Sequence, residues 1–165
     1  MIEIKLNSIS VKISKEVLER MFFYIQDDIV KTEAGGILLG YYFDENNFSV
    51  IDISIPTKED KASRYGFVRS RKTAQKKISE RFKESEGKII YLGEWHTHPE
   101  DYPTPSWIDR KSILERFKRD VLNSNIIFTI IIGRKGFYIA PVDKTGILKE
   151  INVNYQEINK PSDEF

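Results

Sequence analysis

The stretch from Lys88 to Arg110, KIIYLGEWHTHPEDYPTPSWIDR, decides the predicted fold. Its first nine residues, KIIYLGEWH, are mostly apolar and typical of a strand at the centre of a sheet. A helix follows from about Pro105 to Leu122, with Thr104 as the expected N-cap and Pro105 as the first helical residue. The stretch therefore predicts a central strand that a proline-rich connection joins to a helix.

The segments on both sides of this stretch alternate between strand and helix patterns. In chain order we expect strands over 1–6 and 9–13, a helix over 15–27 capped by Ser14, the hairpin GGILLGYYFD with FSVIDISIP, a helix over 69–86 ending at Gly87, and the final strands NIIFTIIIG, GFYIAPV and GILKEINV. The segment 56–67 is the longest irregular one, a polar loop of the kind that often carries function. These elements predict one α/β domain over residues 1–159, a mixed and mostly antiparallel sheet flanked by helices, with a loose tail over 160–165.

Composition narrows the classes of function. The 165 residues include 26 basic and 25 acidic side chains, a net charge of +1 that gives no general reason to expect a nucleic acid or an anionic membrane as partner. No apolar run is long enough to span a bilayer. The sequence has no cysteine, which excludes disulfides, cysteine catalysis and thiolate metal sites and is consistent with a cytoplasmic protein.

The two histidines of the chain, His96 and His98, occupy alternate positions of the central strand. Residues two apart on a strand point to the same side, so both imidazoles face one point, as Zn²⁺ requires. A catalytic zinc usually takes a third protein ligand, and Asp109 in the first turns of the following helix is the expected carboxylate. Ser106 lies three residues earlier and shares a helix face with Asp109.

Simpler interpretations exist for each of these residues. A histidine near a strand is often structural or exposed, and Ser-x-x-Asp at the start of a helix is most often a capping arrangement. As a set, the residues could also build a structural zinc site. Such a closed site would usually need four protein ligands including thiolates, which this sequence does not have.

The pattern formed by His96, Thr97, His98, Ser106 and Asp109 resembles the H-[ST]-H-x7-S-x2-D signature of the JAMM (MPN+) zinc metalloproteases. The upstream segment EAGGILLG, 33–40, is similar to the family's glutamate followed by a glycine-rich strand. The resemblance by motif runs from about residue 33 to residue 109, and it implies the JAB/MPN fold, which is similar to that of cytidine deaminases.

The resemblance also implies a role for each matching residue. His96, His98 and Asp109 would bind one Zn²⁺ per chain, Glu33 would be the general acid and base, and Ser106 would stabilise the oxyanion. Glu94 lies two residues before His96 on the same strand face and is an alternative base. It could instead orient a ligand histidine from outside the metal's coordination sphere.

The branch suggested by YLGEWHTHPEDYPTPSWID and the preceding RSRKTAQKKI is that of stand-alone bacterial JAB peptidases. These include the deconjugating peptidases of CBASS anti-phage operons, which release the carboxyl tail of a cGAS-like nucleotidyltransferase or a ubiquitin-like protein from its conjugate. The basic residues Arg69, Arg71 and Lys72 are either a solvated face or contacts to such a substrate. The 56–67 loop is the candidate to supply or guard a strand edge for the substrate tail.

Three alternatives remain within or near this family. The protein could be a processing peptidase for a ubiquitin-like or sulfur-carrier precursor, or a non-catalytic MPN scaffold, although such scaffolds lack ligands that are present here. A RadC-type DNA-associated domain shares part of the motif, but the near-neutral charge argues against it.

Overall fold

A computed structural model describes residues 1–158, so the predicted tail over 160–165 lies outside the described residues. The strands form a nine-stranded mixed sheet and a separate two-stranded hairpin. The strands are β1 (Ile2–Leu6), β2 (Ile9–Ile13), β3 (Gly35–Asp44), β4 (Asn47–Ile53), β5 (Lys61–Ser63), β6 (Gly66–Val68), β7 (Ile90–Thr97), β8 (Ile127–Ile132), β9 (Gly136–Asp143), β10 (Gly146–Ile147) and β11 (Ile151–Asn154). The helices are α1 (Lys15–Phe22), α2 (Arg71–Glu84), α3 (Trp107–Arg119) and α4 (Tyr155–Ile158). Among these described residues, no helix is long and apolar enough to cross a membrane.

The sheet has the order β1-β2-β4-β3-β7-β8-β9-β10, with β11 also paired to β9. Two pairings, β2 with β4 and β7 with β8, are parallel, and the others are antiparallel. This confirms the predicted α/β class with a mixed, mostly antiparallel sheet. β7 lies between β3 and β8, as expected for the central strand.

The sheet is covered on both faces. The larger core packs α1, through Val17, Leu18 and Met21, against one face. A smaller core on the other face includes Ala74 of α2 and Ile113 of α3. The predicted central strand has its apolar residues divided between these two cores because neighbouring side chains of a strand point to opposite faces.

A β-bulge in β7 determines which face the first histidine reaches. Leu38 pairs with Gly93 and Leu39 with Tyr91, so Leu92 has no partner on β3. Gly93 has φ +131, and a Cβ there would lie 1.9 Å from the Phe128 carbonyl oxygen, which excludes any other residue. The extra residue exchanges the faces of the following side chains, and it places Glu94 and His96 on the face that α2 and α3 cover.

Several predicted boundaries were wrong, including the end of α3, which is at Arg119 and not at Leu122. α3 is capped by Ser106 and not by Thr104, because Ser106 and Asp109 form a reciprocal capping box. α1 ends at Phe22, five residues earlier than the predicted 27. The last predicted strand, GILKEINV, is divided into β10 and β11, which both pair with β9.

The predicted loop 56–67 is also more regular than expected. Part of it pairs as the hairpin β5–β6, in which Lys61 lies opposite Val68 and Ser63 opposite Gly66. The backbone N–H of Glu33 donates to the Ser63 carbonyl at 2.8 Å. This bond attaches the hairpin to the segment that enters β3.

Candidate metal centre

The histidines and Asp109 converge on one point. His96 Nε2 and His98 Nε2 lie 3.1 Å apart. The Oδ2 atom of Asp109 lies 3.3 Å from His96 Nε2 and 3.0 Å from His98 Nε2. Three ligand atoms that surround Zn²⁺ at about 2.0–2.2 Å with tetrahedral angles lie about 3.3–3.6 Å from each other. The three side chains therefore fit one face of a zinc tetrahedron after a small outward adjustment.

The end of β7 and the start of α3 hold this arrangement. His96 lies in β7 opposite Gly35 of β3 and beside Ile131 of β8. His98 follows the end of the strand, and its backbone N–H donates to the Ile132 carbonyl at 3.1 Å. The backbones of both histidines are thus fixed by hydrogen bonds to neighbouring strands.

The side chain of Glu33 lies beside the histidines and is buried. Only 4% of its surface is exposed, and its Oε1 atom lies 4.0 Å from His98 Nε2. One ligand atom each from Glu33, His96 and His98 lies within 4.8 Å of the others. Burial raises the pKa of Glu33 to about 7, against the opposing effect of His98. A carboxylate with a pKa near neutrality is suited to both accepting and donating a proton.

Asp109 and Ser106 line the site and also cap the first turn of α3. The Asp109 N–H donates to Ser106 Oγ at 3.1 Å, and the Ser106 N–H donates to Asp109 Oδ2 at 2.8 Å. Burial opposes the charge of Asp109, but hydrogen bonds from His96 and His98 outweigh it and hold the Asp109 pKa well below its usual range. Ser106 and Asp109 therefore do form a capping box, and its hydrogen bonds fix the Asp109 carboxylate beside the histidines.

Glu94 is held by partners other than the histidines. Arg69 binds it through Nε and Nη2, with the shortest contact at 2.7 Å, and the Tyr91 hydroxyl donates to its Oε1 at 2.8 Å. Arg116 Nη1 lies 3.0 Å from the same oxygen. Within residues 1–158 Glu94 makes no hydrogen bond to His96, which is the contact through which it would orient that ring.

Sequence reasoning missed Glu100. His98 Nδ1 lies 2.8 Å from Glu100 Oε1. In the neutral tautomer that donates from Nδ1 to Glu100, the Nε2 atom of His98 carries the lone pair that a metal binds. The available signal was an acidic residue two positions after a predicted ligand histidine, close enough in the chain to reach its ring.

A buried polar chain between the two histidines was also missed. The Thr97 hydroxyl donates to Gln26 Oε1 at 2.9 Å and accepts from the Ala34 N–H at 3.0 Å. Gln26 Nε2 donates to the carbonyls of Lys31 and Arg64. This chain connects the histidine strand with the residues next to Glu33 and with the β5–β6 hairpin.

A cleft of about 480 Å³ opens onto these residues. Glu33, His96, Ser106 and Asp109 all line it, and so does part of the β5–β6 hairpin. The cleft thus brings together four of the five residues predicted for catalysis and metal binding. His98 is placed with them by its contacts to His96 and Asp109.

Comparisons with known proteins agree with this geometry. Residues 16–141 match the family described as prokaryotic homologs of the JAB domain. The chain is 37% identical over 139 residues to the CD-NTase/cGAS isopeptidase of Escherichia coli (strain TW11681), covering 84% of this chain and 86% of the relative. It is 34% identical over 134 residues to the CD-NTase/cGAS isopeptidase of Vibrio cholerae serotype O1, covering 81% and 83%.

A solved structure is similar at the level of the fold. The solution structure of protein DSY2949 from Desulfitobacterium hafniense superposes with a TM-score of 0.62 at 19% identity, covering 86% of this chain and 89% of that chain. At this identity the likeness concerns the arrangement of strands and helices alone.

Proposed function

This chain belongs to the family of prokaryotic homologs of the JAB domain, and we propose that it is a zinc-dependent isopeptidase. Its substrate is a conjugate in which the carboxyl tail of a cGAS-like nucleotidyltransferase, or of a ubiquitin-like protein, is linked to a lysine amine. The names of the Escherichia coli and Vibrio cholerae relatives support this substrate class. We place the reaction in the cytoplasm, as part of bacterial anti-phage deconjugation.

One observation carries the proposal: the Nε2 atoms of both histidines and Oδ2 of Asp109 lie within 3.3 Å of one another beside a buried glutamate. The donor set, two imidazole nitrogens and one carboxylate oxygen, is typical of catalytic zinc, which keeps a place open for substrate or water. A scaffold protein would have no use for a buried carboxyl group beside such a donor set.

The residues of the site have different roles in hydrolysis. When bound, Zn²⁺ supplies Lewis acidity, which polarises a carbonyl and makes water more acidic. The Glu33 carboxylate takes the proton of the attacking water and passes it to the Nζ of the leaving lysine, so that the amide C–N bond breaks to give a tail carboxylate and a free amine. Glu100 holds the ring of His98 through Nδ1.

Ser106 is placed to stabilise the negative charge that develops on the carbonyl oxygen. Its oxygen already accepts the Asp109 N–H. A hydroxyl has one donor and two acceptor sites, so the Ser106 O–H still has its hydrogen to donate. An oxyanion beside the cleft can accept that bond.

The test is a search for cleaved conjugates by mass spectrometry. Lysates that contain conjugated nucleotidyltransferase are incubated with the wild-type protein or with Glu33→Gln, and new carboxyl termini are compared. We expect wild-type-dependent release of a tail from a lysine, blocked by zinc chelators and unaffected by thiol alkylation. A linear fusion precursor processed in preference to the isopeptide would favour the processing-peptidase alternative, and products that are only metabolites or nucleic-acid fragments would refute the proposal.

A further inference from the structure

The cleft contains four arginines in addition to the candidate metal centre. Arg69 and Arg71 lie at the junction between β6 and α2, and Arg116 and Arg119 lie in the second half of α3. We call these four residues the arginine cluster. The overall net charge of +1 gives no reason to expect four arginines in one cleft.

The cluster has more positive than negative charge. Glu94 binds Arg69 at 2.7 Å and Arg116 at 3.0 Å. Asp120 lies 3.3 Å from Arg71, 3.3 Å from Arg119 and 3.9 Å from Arg116. Two carboxylates therefore face four guanidinium groups, and two positive charges are left over.

The arrangement leaves donors free at fixed positions. The side chains of Arg69 and Arg116 are 13% and 16% exposed and are fixed by Glu94, whereas those of Arg71 and Arg119 are 67% and 51% exposed. Within residues 1–158, the contacts of Arg71 use only Nη2 and those of Arg119 only Nε. Each guanidinium has five N–H donors, so both can still bind a carboxylate through two parallel hydrogen bonds.

The distance from the metal centre to the cluster matches a short extended peptide. Asp109, Arg116 and Arg119 all line the cleft from α3, whose rise of 1.5 Å per residue puts the two arginines about 10 and 15 Å beyond Asp109. An extended chain advances about 3.3 Å per residue, so this span corresponds to about three to five residues. On the lysine side of an isopeptide bond there is only one side chain before the acceptor protein begins. The segment long enough to reach the cluster is the tail.

We propose that the arginine cluster binds an acidic side chain of the substrate tail, about three to five residues before the scissile carbonyl. This inference rests on the isopeptidase function proposed above and adds the sequence class of its substrate. A peptide is favoured over a nucleic acid because the proposed isopeptidase acts on a peptide tail, and the exposed aliphatic side chains of Val68 and Ile108 in the same cleft suit peptide side chains. The exposed ring of Tyr65 also lines the cleft and could stack on a base, so the experiment below includes a single-stranded nucleic-acid probe.

The experiment uses synthetic tails joined to the Nζ of a lysine in a fluorescent acceptor peptide. A single glutamate is moved through positions two to seven before the scissile carbonyl, in a neutral background, with glutamine at the same position as the reference. Binding to zinc-loaded Glu33→Gln is measured by fluorescence anisotropy. We expect glutamate at positions three to five to tighten binding about two- to fivefold over glutamine, because Arg71 and Arg119 are more than half exposed and ion pairs with exposed partners are screened by water.

Two double variants distinguish the effect of the arginine cluster from the effect of general positive charge. Arg71→Gln with Arg119→Gln should abolish the preference for glutamate. Lys76→Gln with Lys118→Gln removes the same charge from exposed positions on the same two helices and should keep it. A reversed pair, Arg71→Glu with Arg119→Glu, should prefer a lysine-containing tail.

The outcomes distinguish this inference from the proposed isopeptidase. If wild type cleaves no tail but the positional preference for glutamate appears in binding, the acidic subsite stands and the hydrolytic function fails. If wild type cleaves all tails alike, with no preference in binding, the subsite is refuted and the isopeptidase stands. No tail binding, or an oligothymidylate probe that binds better than every tail and loses affinity in Arg71→Gln/Arg119→Gln, also refutes the acidic-tail proposal.

Discussion

The two ends of the cleft are built from the same strand and helix, but their charges are balanced in different ways. At one end β7 and α3 contribute His96 and Asp109, which with His98 direct three acceptor atoms at one point. At the other end they contribute Glu94 and Arg116, which bind each other. The first end has a set of ligand atoms suited to a cation from outside the chain, whereas the second has its own cations in excess. The same strand and helix can thus carry a set of metal ligands and, a few helical turns away, a site for a negatively charged group.

The largest expected effect is loss of the metal. Purified wild-type protein should contain about one zinc per chain, and His96→Ala, His98→Ala or Asp109→Ala should lose most of it, since each removes one of three ligands. Metal content is measured by inductively coupled plasma mass spectrometry. Glu94→Gln is the matched control from the other end of the cleft and should retain zinc. Full zinc in all three single variants would show that the ligand assignment is wrong.

Glu33→Gln should lower kcat by on the order of 10²–10⁴, with zinc and melting temperature unchanged, because the change keeps the shape and removes the proton acceptor. Glu94→Gln should have a much smaller effect on kcat, since Arg69 and Arg116 occupy its oxygens. Steady-state kinetics on one isopeptide substrate compares the two. The opposite ranking would make Glu94 the base and reverse the comparison between the two ends.

Ser106→Ala should lower kcat by on the order of 10²–10³ with little change in KM, as expected for loss of one oxyanion donor. Ser106→Gly removes the same hydroxyl but is a better N-cap than alanine, so it separates catalysis from capping. Equal kcat losses in both variants indicate the oxyanion role. A loss of melting temperature with kcat preserved would leave Ser106 as a cap alone.

The smallest effect is expected outside the ligand set. Glu100→Gln should weaken zinc affinity by about 10–100-fold, because a neutral amide holds the His98 ring less strongly than a carboxylate does. Competition with a chromogenic chelator measures the affinity without any substrate. Glu115→Gln, at an exposed position of α3, is a charge-matched control and should leave the affinity unchanged.

The sequence predicted the residues that depend on local spacing. The alternation of His96 and His98 and the three-residue step from Ser106 to Asp109 follow from strand and helix geometry. The N-cap was misplaced because Pro105 favoured Thr104 as the cap, although the spacing of Ser106 and Asp109 already indicated the capping box that the structure shows. Two local rules thus gave different first residues for α3, and the structure follows the capping box.

Contacts between distant segments were beyond such rules. Arg69 and Glu94 are 25 residues apart, and Thr97 and Gln26 are 71 apart. Neither pair has a sequence pattern that would indicate it. The hairpin β5–β6 was missed because its strands have three residues each, too few to show the alternation that indicates a strand.

The bulge at Gly93 has a consequence for protein engineering. The extra residue reverses the alternation of side chains between the two faces of the sheet. The histidine motif by itself therefore does not specify which face of a sheet will carry the metal ligands. If the same sequence, with Leu92 kept, formed a regularly alternating strand, Trp95 and His96 would exchange faces, which would turn the imidazole into the larger core and the indole towards the cleft. A design that transfers this centre to another sheet must transfer the irregular strand together with the motif.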